Sequence, residues 1–127
     1  MDESVMIVMK LPDASLSPNR PCGSRGGRIK RAMIVKKQRR VAMELTQAEC
    51  VETAPWGRVE AQAIFYHATD RRRDGANFNA MLKGVFDGVV DSGLVADDDH
   101  KHWTTLPPIF KQDKTNPRVE VTVTRVD

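Results

Sequence analysis

Acids and bases crowd one stretch of this chain, RRRDGANFNAMLKGVFDG at 71–88, and DDDH follows at 97–100. The side chains in it able to do chemistry are Asp74, Lys83, Asp87 and the run Asp97, Asp98, Asp99. Aspartates packed together repel one another. A hard cation with oxygen ligands relieves that repulsion, and Mg²⁺ is the natural occupant, with Mn²⁺ as a substitute. A metal so held activates water and neutralises charge on a scissile phosphodiester. Lys83 would then touch a phosphate. Each feature also has a plainer reading. Aspartate is a favoured turn residue, so DDD suits a solvated turn. Lys83 has Asp87 at i+4, a surface ion pair contributing about 0.3–0.5 kcal/mol. His100 and His102, with His67, evoke zinc, but no cysteine pair or HExxH pattern accompanies them. They read as surface histidines near a turn.

For a metal site, acids distant in the chain must meet. Asp74 stands just before a predicted helix, and Asp97–Asp99 lie in the turn past its far end. A helix over 78–90 is only ~20 Å long. The chain beyond Gly93 can double back along a sheet, so convergence is open to it; nothing in the residues demonstrates it.

Charge is segregated. Residues 20–40 hold nine Lys/Arg and no acid, and residues 84–99 hold five aspartates and no Lys or Arg, within a chain of formal net charge +3 and pI about 9.1. That distribution suits a polyanion ligand together with a cation site. Arg31, Lys36, Lys37, Arg39 and Arg40 fall on one predicted helix, and only Arg40 has an acid at i+3 or i+4, Glu44. Many charged helices are simply solvated, but bases at this density, with a single acid spaced to pair with them, repel unless something anionic is near. A contact to a phosphate backbone answers that need. Arg71, Arg72 and Arg73 extend the same basic character. GSRGGR at 23–28 is one copy of an RGG-like element and reads as a flexible basic loop.

These residues must be positioned by a modest set of elements. Val5–Lys10 reads as a strand and 12–29 as a long loop rich in Pro, Gly, Ser and Arg. Ile29–Cys50 reads as a helix, Pro55-Trp56-Gly57 as a turn, and Val59–Tyr66 as an alternating strand. Phe78, Met81, Leu82, Val85, Phe86, Val89 and Val90 follow the helical period, with Asn77 as N-cap and Gly93 as stop. Gly84 and Gly88 on that helix permit close approach of another backbone, a partner or a ligand. Lys101–Thr105 reads as a short strand, 106–117 as loop, and Arg118–Val126 as a closing strand. The order β, α, β, α, β, β predicts an α+β fold, a small mixed β-sheet with two main helices packed on it.

At 127 residues the chain is one domain, 1–127, with no internal repeat. No apolar run approaches the roughly 18 residues that span a bilayer, and no signal-peptide pattern opens it. Cys22 and Cys50 lack metal-like spacing and form no disulfide framework. Free thiols and a cytoplasmic location, away from membranes, are the expectation.

The run RRRDGANFNAMLKGVFDGVVDSGLVADDDH resembles the signature of the RusA family, Holliday junction resolvases common in phages and prophages. That signature is a basic run, D-x-D-N-L, a lysine, F/V-D-x-L/V, a hydrophobic helix, a glycine and a closing D-D. Here stand Arg71–Arg73, Asp74, Asn77, Lys83, Asp87, the Ser92-Gly93 break and Asp97-Asp98. The interval from Asp74 to Lys83 is longer than in the shortest members and is similar to a phage-type variant. LPDASLSPNR at 11–20 and VEVTVTRV at 119–126 are similar to the family's early segment and terminal strand. The resemblance implies a RusA-like fold and a Mg²⁺-dependent endonuclease that cuts four-way junctions and other branched DNA in recombination and repair. It implies a homodimer, since two symmetric cuts need two related sites. Asp74 and Asp98 would hold the metal, with Asp97 beside them, and Lys83 would steady the scissile phosphate. Arg31, Lys36, Lys37, Arg39, Arg40 and Arg71–Arg73 would lie along the DNA backbone, giving steep salt dependence and little base reading. One departure stands out. The family's second aspartate, two residues after the first, is replaced by Ala76. Either Asp97, Asp99 or Asp87 takes its place, or metal is held weakly, or the protein binds junctions without cutting them.

Overall fold

The computed structural model describes residues 3–20 and 23–127. Its centre is β2, Val59–His67, where every second residue from Val59 to Phe65 is buried. That alternation is what a strand with one face on a core requires. β5, Arg118–Arg125, pairs antiparallel with one edge of β2, and β1, Ser4–Met9, pairs antiparallel with β5. The other edge of β2 carries two short parallel strands in tandem: β3, Trp103–Thr105, along its first half and β4, Ile109–Gln112, along its second. Leu106–Pro108 separate them, because a proline there cannot donate to the ladder. The result is a five-stranded mixed sheet with helices packed on it, the expected α+β plan. The segment 106–117, expected to be loop throughout, contains β4; its prolines hide a strand that only the register with β2 reveals.

Helix α1, Arg25–Gln47, starts four residues before the expected Ile29. Ser24 caps it, its Oγ accepting from Gly27 N at 3.1 Å, so the RGG-like stretch is its first turn and not a loop. It ends short of Cys50, where φ of 49° reverses the chain. Cys50 is exposed and unpaired; Cys22 lies outside the described residues. No helix of the described residues is long and apolar enough to cross a membrane.

The single helix expected over 78–90 is two. α2 covers Gly75–Ala80 and α3 covers Lys83–Asp91. At the break Leu82 N turns to Asn79 O at 3.0 Å, and the Met81 carbonyl accepts from Gln38 Nε2 of α1 at 3.2 Å. A side chain from another helix thus takes the carbonyl that would have continued the ladder. Gly84 and Gly88 explain how α1 comes so near. A Cβ on Gly84 would lie 2.4 Å from Gln38 Oε1, and one on Gly88 would lie 2.2 Å from the Arg39 carbonyl oxygen. The backbone that the glycines admit is the chain's own α1. Ala42 of α1 with Val85 and Val89 of α3 then joins Val5, Ile7, Phe65 and the β5 valines in one core.

Gly93, in the left-handed region at φ 89°, ends α3 as expected. Leu94 and Val95 are buried, and a short parallel bridge ties Trp56 to Val95. Trp56, expected in a turn, is 1% exposed and its backbone holds this bridge at both ends, Trp56 N to Leu94 O at 2.7 Å and Ala96 N to Trp56 O at 3.0 Å. Residue 97 onward is therefore launched from a buried anchor.

Replacing Gly88 by Ala normally strengthens a helix by about 1 kcal/mol. Here the added methyl meets backbone, so Gly88→Ala is expected to destabilise by roughly 1–3 kcal/mol. A lower urea midpoint at unchanged m-value reports it; a raised midpoint refutes the close-approach account.

Candidate functional site

α3, the end of α2 and β3 enclose a groove of about 420 Å³ lined by Asn79, Ala80, Lys83, Phe86, Asp87, Val90, Asp98, Trp103 and Thr105. Three residues picked out by sequence meet here: Lys83, Asp87 and Asp98. Lys83 is 80% exposed in its side chain, with Nζ 3.5 Å from Asp87 Oδ2. The plain i,i+4 pair exists, and it is open enough to exchange for another anion. Asn79 donates through Nδ2 to Leu106 O at 3.1 Å, tying α2 to the strand link, while its buried Oδ1 has no donor among the described residues.

Asp74 is elsewhere. It is the N-cap of α2, where Asn77 was expected, with Oδ1 accepting from Ala76 N at 3.0 Å and Asn77 N at 3.3 Å. Six residues of helical rise, ~9 Å, separate it from the end of α2 that borders the groove. It is not among the groove's lining residues. Ala76 is exposed beside it.

The acidic turn is internally organised. Asp97 Oδ1 accepts from Asp98 N at 2.7 Å, and Asp99 Oδ1 accepts from Lys101 N at 3.0 Å and lies 2.6 Å from His102 Nδ1. The His102 contact, first among several hydrogen bonds, holds the Asp99 carboxyl below its ordinary range. Asp97, Asp99 and His102 each offer a ligand atom within 4.8 Å of the others, the one such group of His, Cys, Asp or Glu among the described residues. His102 was read as a mere surface histidine; its spacing of three from Asp99 was the available signal.

α1 lies against α3, so the basic and acidic surfaces adjoin. Arg28, Arg31, Lys36 and Arg39 line an open concavity of about 480 Å³ on α1. Arg31 Nη2 donates to Ser17 O at 2.8 Å and holds the preceding loop. Arg39 does have an acid, one that i+4 counting cannot find: its Nε and Nη2 grip both oxygens of Asp91 on α3. That fork lowers the Asp91 carboxyl and raises the guanidinium, and Asp87 and Asp98 add to the latter effect through space. Lys36, Lys37 and Arg40 are exposed and make no ion pair among the described residues. Arg71 and Arg72 are exposed on the link before α2, and Arg73 folds back to Arg71 O at 2.8 Å.

Next to that link, His67 closes an aromatic cluster with Phe65, Phe78 and Phe110, its centroid 5.3 Å from Phe78. Phe78 belongs to α2, so this cluster seats the helix that Asp74 caps.

No protein-family model matches this chain, and no curated protein matches it.

Burial, then the charges of Arg73 and Arg71, press the His67 pKa below 6.5. A lowered histidine pKa means the unfolded chain binds the proton more readily. The stability this contributes is full above the unfolded value and is lost as pH falls through the folded one. His67 is expected to titrate below 6.5 by NMR, and the urea midpoint to drop between neutral and mildly acidic pH. His67→Phe should flatten that drop; an identical drop in the variant removes His67 as its cause.

Proposed function

We propose that the protein is a Mg²⁺-dependent endonuclease of branched DNA, a resolvase of the RusA kind acting as a homodimer. The observation that carries this reading is the groove lined by Lys83, Asp87 and Asp98, with Arg39 of the basic helix α1 near enough to interact through space with both acids. Mg²⁺ keeps several waters and needs only one or two carboxylates plus substrate phosphate. Asp87 and Asp98 would hold such an ion through oxygen alone, so the missing carboxylate at Ala76 does not forbid the site. Asp97 and Asp99 flank Asp98 in the chain, with Asp97 accepting from Asp98 N and Asp99 engaged by His102. When bound, the metal supplies a polarised water and charge neutralisation. Lys83 swings from Asp87 to the scissile phosphate and steadies the charge that develops there. Lys36, Lys37, Arg40, Arg71 and Arg72 track the phosphate backbone, while Arg39 holds α3 and leaves DNA contact to its neighbours. Asp74 serves as cap and places α2.

The second reading is a protein that binds junctions without cutting, favoured by the exposed Ala76 and by the engagement of Asp74 in capping.

A labelled four-way junction decides between them. With Mg²⁺ or Mn²⁺, paired symmetric nicks are expected. Asp98→Asn should abolish them with affinity retained or tightened, and Lys83→Ala should slow them on the order of 10²-fold or more. Asp74→Asn preserves a cap and should leave cleavage within a few-fold of wild type; a loss as large as that of Asp98→Asn makes Asp74 a ligand instead. Each of Lys36→Ala and Lys37→Ala should lower the salt slope of binding by about 1. Tight binding with no nick in either metal establishes the non-cutting reading.

A further inference from the structure

We propose that Trp103 is a stacking platform for an unstacked nucleobase, so that the groove selects DNA whose base stack is interrupted; this rests on the DNA reading above. Trp103 opens β3, opposite Val59 in register, and its side chain enters the same groove as Lys83, Asp87 and Asp98. The chain has two tryptophans, and they differ in kind. Trp56 is 1% exposed and belongs to the core. Trp103 is half-buried on a strand that pairs with β2 alone among the described residues. Its ring is not free to collapse. Nε1 donates to Thr105 Oγ1 at 2.9 Å, and the ring leans on Phe86 with centroids 5.5 Å apart at 53°. An oriented indole thus sits in a space of about 420 Å³, inside the roughly 300–1,000 Å³ range of small-ligand sites.

A fully paired duplex offers such a ring no free π-face. A branch point, bulge or single strand does, and stacking on an aromatic side chain tolerates any base. Lys83, largely exposed on the groove's wall, can take the phosphate of the same nucleotide. Stacking therefore supplies a preference for branched DNA that backbone contacts along α1 cannot, since those contacts see every duplex alike.

The test uses the whole chain with Ca²⁺ in place of Mg²⁺, so no outcome depends on hydrolysis. The probes are a duplex carrying one extrahelical base and the same duplex fully paired. The bulged probe is expected to quench the Trp103 part of the intrinsic fluorescence, while the buried Trp56 emission persists and the paired probe quenches little. Trp103→Leu keeps an apolar cover on Phe86 but has no π-face; it should weaken bulged-probe binding on the order of 10-fold and leave paired binding unchanged. Trp103→Phe should restore most of the preference. If Trp103→Leu fails to fold, the contrast in quenching decides alone. Equal quenching by both probes, or equal weakening of both, overturns the stacking role while the nuclease reading stands. Binding of neither probe overturns the DNA reading and this inference with it.

Discussion

Two glycines on α3 admit the backbone of α1, and the rest of the site follows from that contact. At Gly88 the space a methyl would need is held by the Arg39 carbonyl. Side chains can rearrange around a neighbour; peptide groups at that distance cannot. The register of α1 on α3 is thereby set to within a fraction of a turn. Gln38 can then reach the Met81 carbonyl and divide α2 from α3, and Arg39 can reach both oxygens of Asp91. A helix dense in cations comes to rest along a helix that carries Asp87 and Asp91, without either charge set neutralising the whole of the other. The exposed Lys36, Lys37 and Arg40 remain outward, and Lys83 and Asp87 remain at the groove.

The sheet delivers the other wall. β2 is shared by β5 on one edge and by β3 and β4 in tandem on the other. Such a parallel pair demands a crossover, and here α2 and α3 form it. The return path runs from Gly93 through the Trp56 bridge to the acidic turn and into β3. Asp98 and Trp103 therefore reach the groove from a segment anchored at both ends, while Lys83 and Asp87 reach it from α3. A site assembled from two arms of one crossover places its acids without a dedicated loop.

Much of this was readable in the residues, and the misses have definite causes. β2 and β5 alternate along the chain and β1 is a short apolar run, and the α+β plan follows. Gly93 and the apolar stripe from Phe78 to Val90 were equally plain. The division of that stripe was not, because Gln38 causes it and lies 43 residues from Met81. The pairing of Arg39 with Asp91 escaped for the same reason, a separation of 52. β4 was masked by Pro107 and Pro108, which read as loop although the four residues after them pair with β2. Asn77 looked like a cap by type, but Asp74 is the residue whose carboxylate meets two free amides. At the candidate site, Lys83 and Asp98 line one groove together with Asp87; Asp74, grouped with Lys83 and Asp98 by the motif, caps α2 instead, since motif spacing carries no information on which end of a short helix faces a groove. Trp103 gave no signal in one dimension, where a lone aromatic in a short strand looks like any core residue.

The first turns of α1 carry Arg25, Arg28, Lys30 and Arg31 with no acid in the opening turn, and Gly26 and Gly27 lie among them. The amino end of a helix already bears partial positive charge, so these cations oppose the helix they begin, and the glycines weaken it further. Beyond Gln38, contacts with α3 hold the same helix firmly. Its local stability must therefore run as a gradient, with amide protons exchanging fastest at the arginine-rich end and slowest beside Ala42.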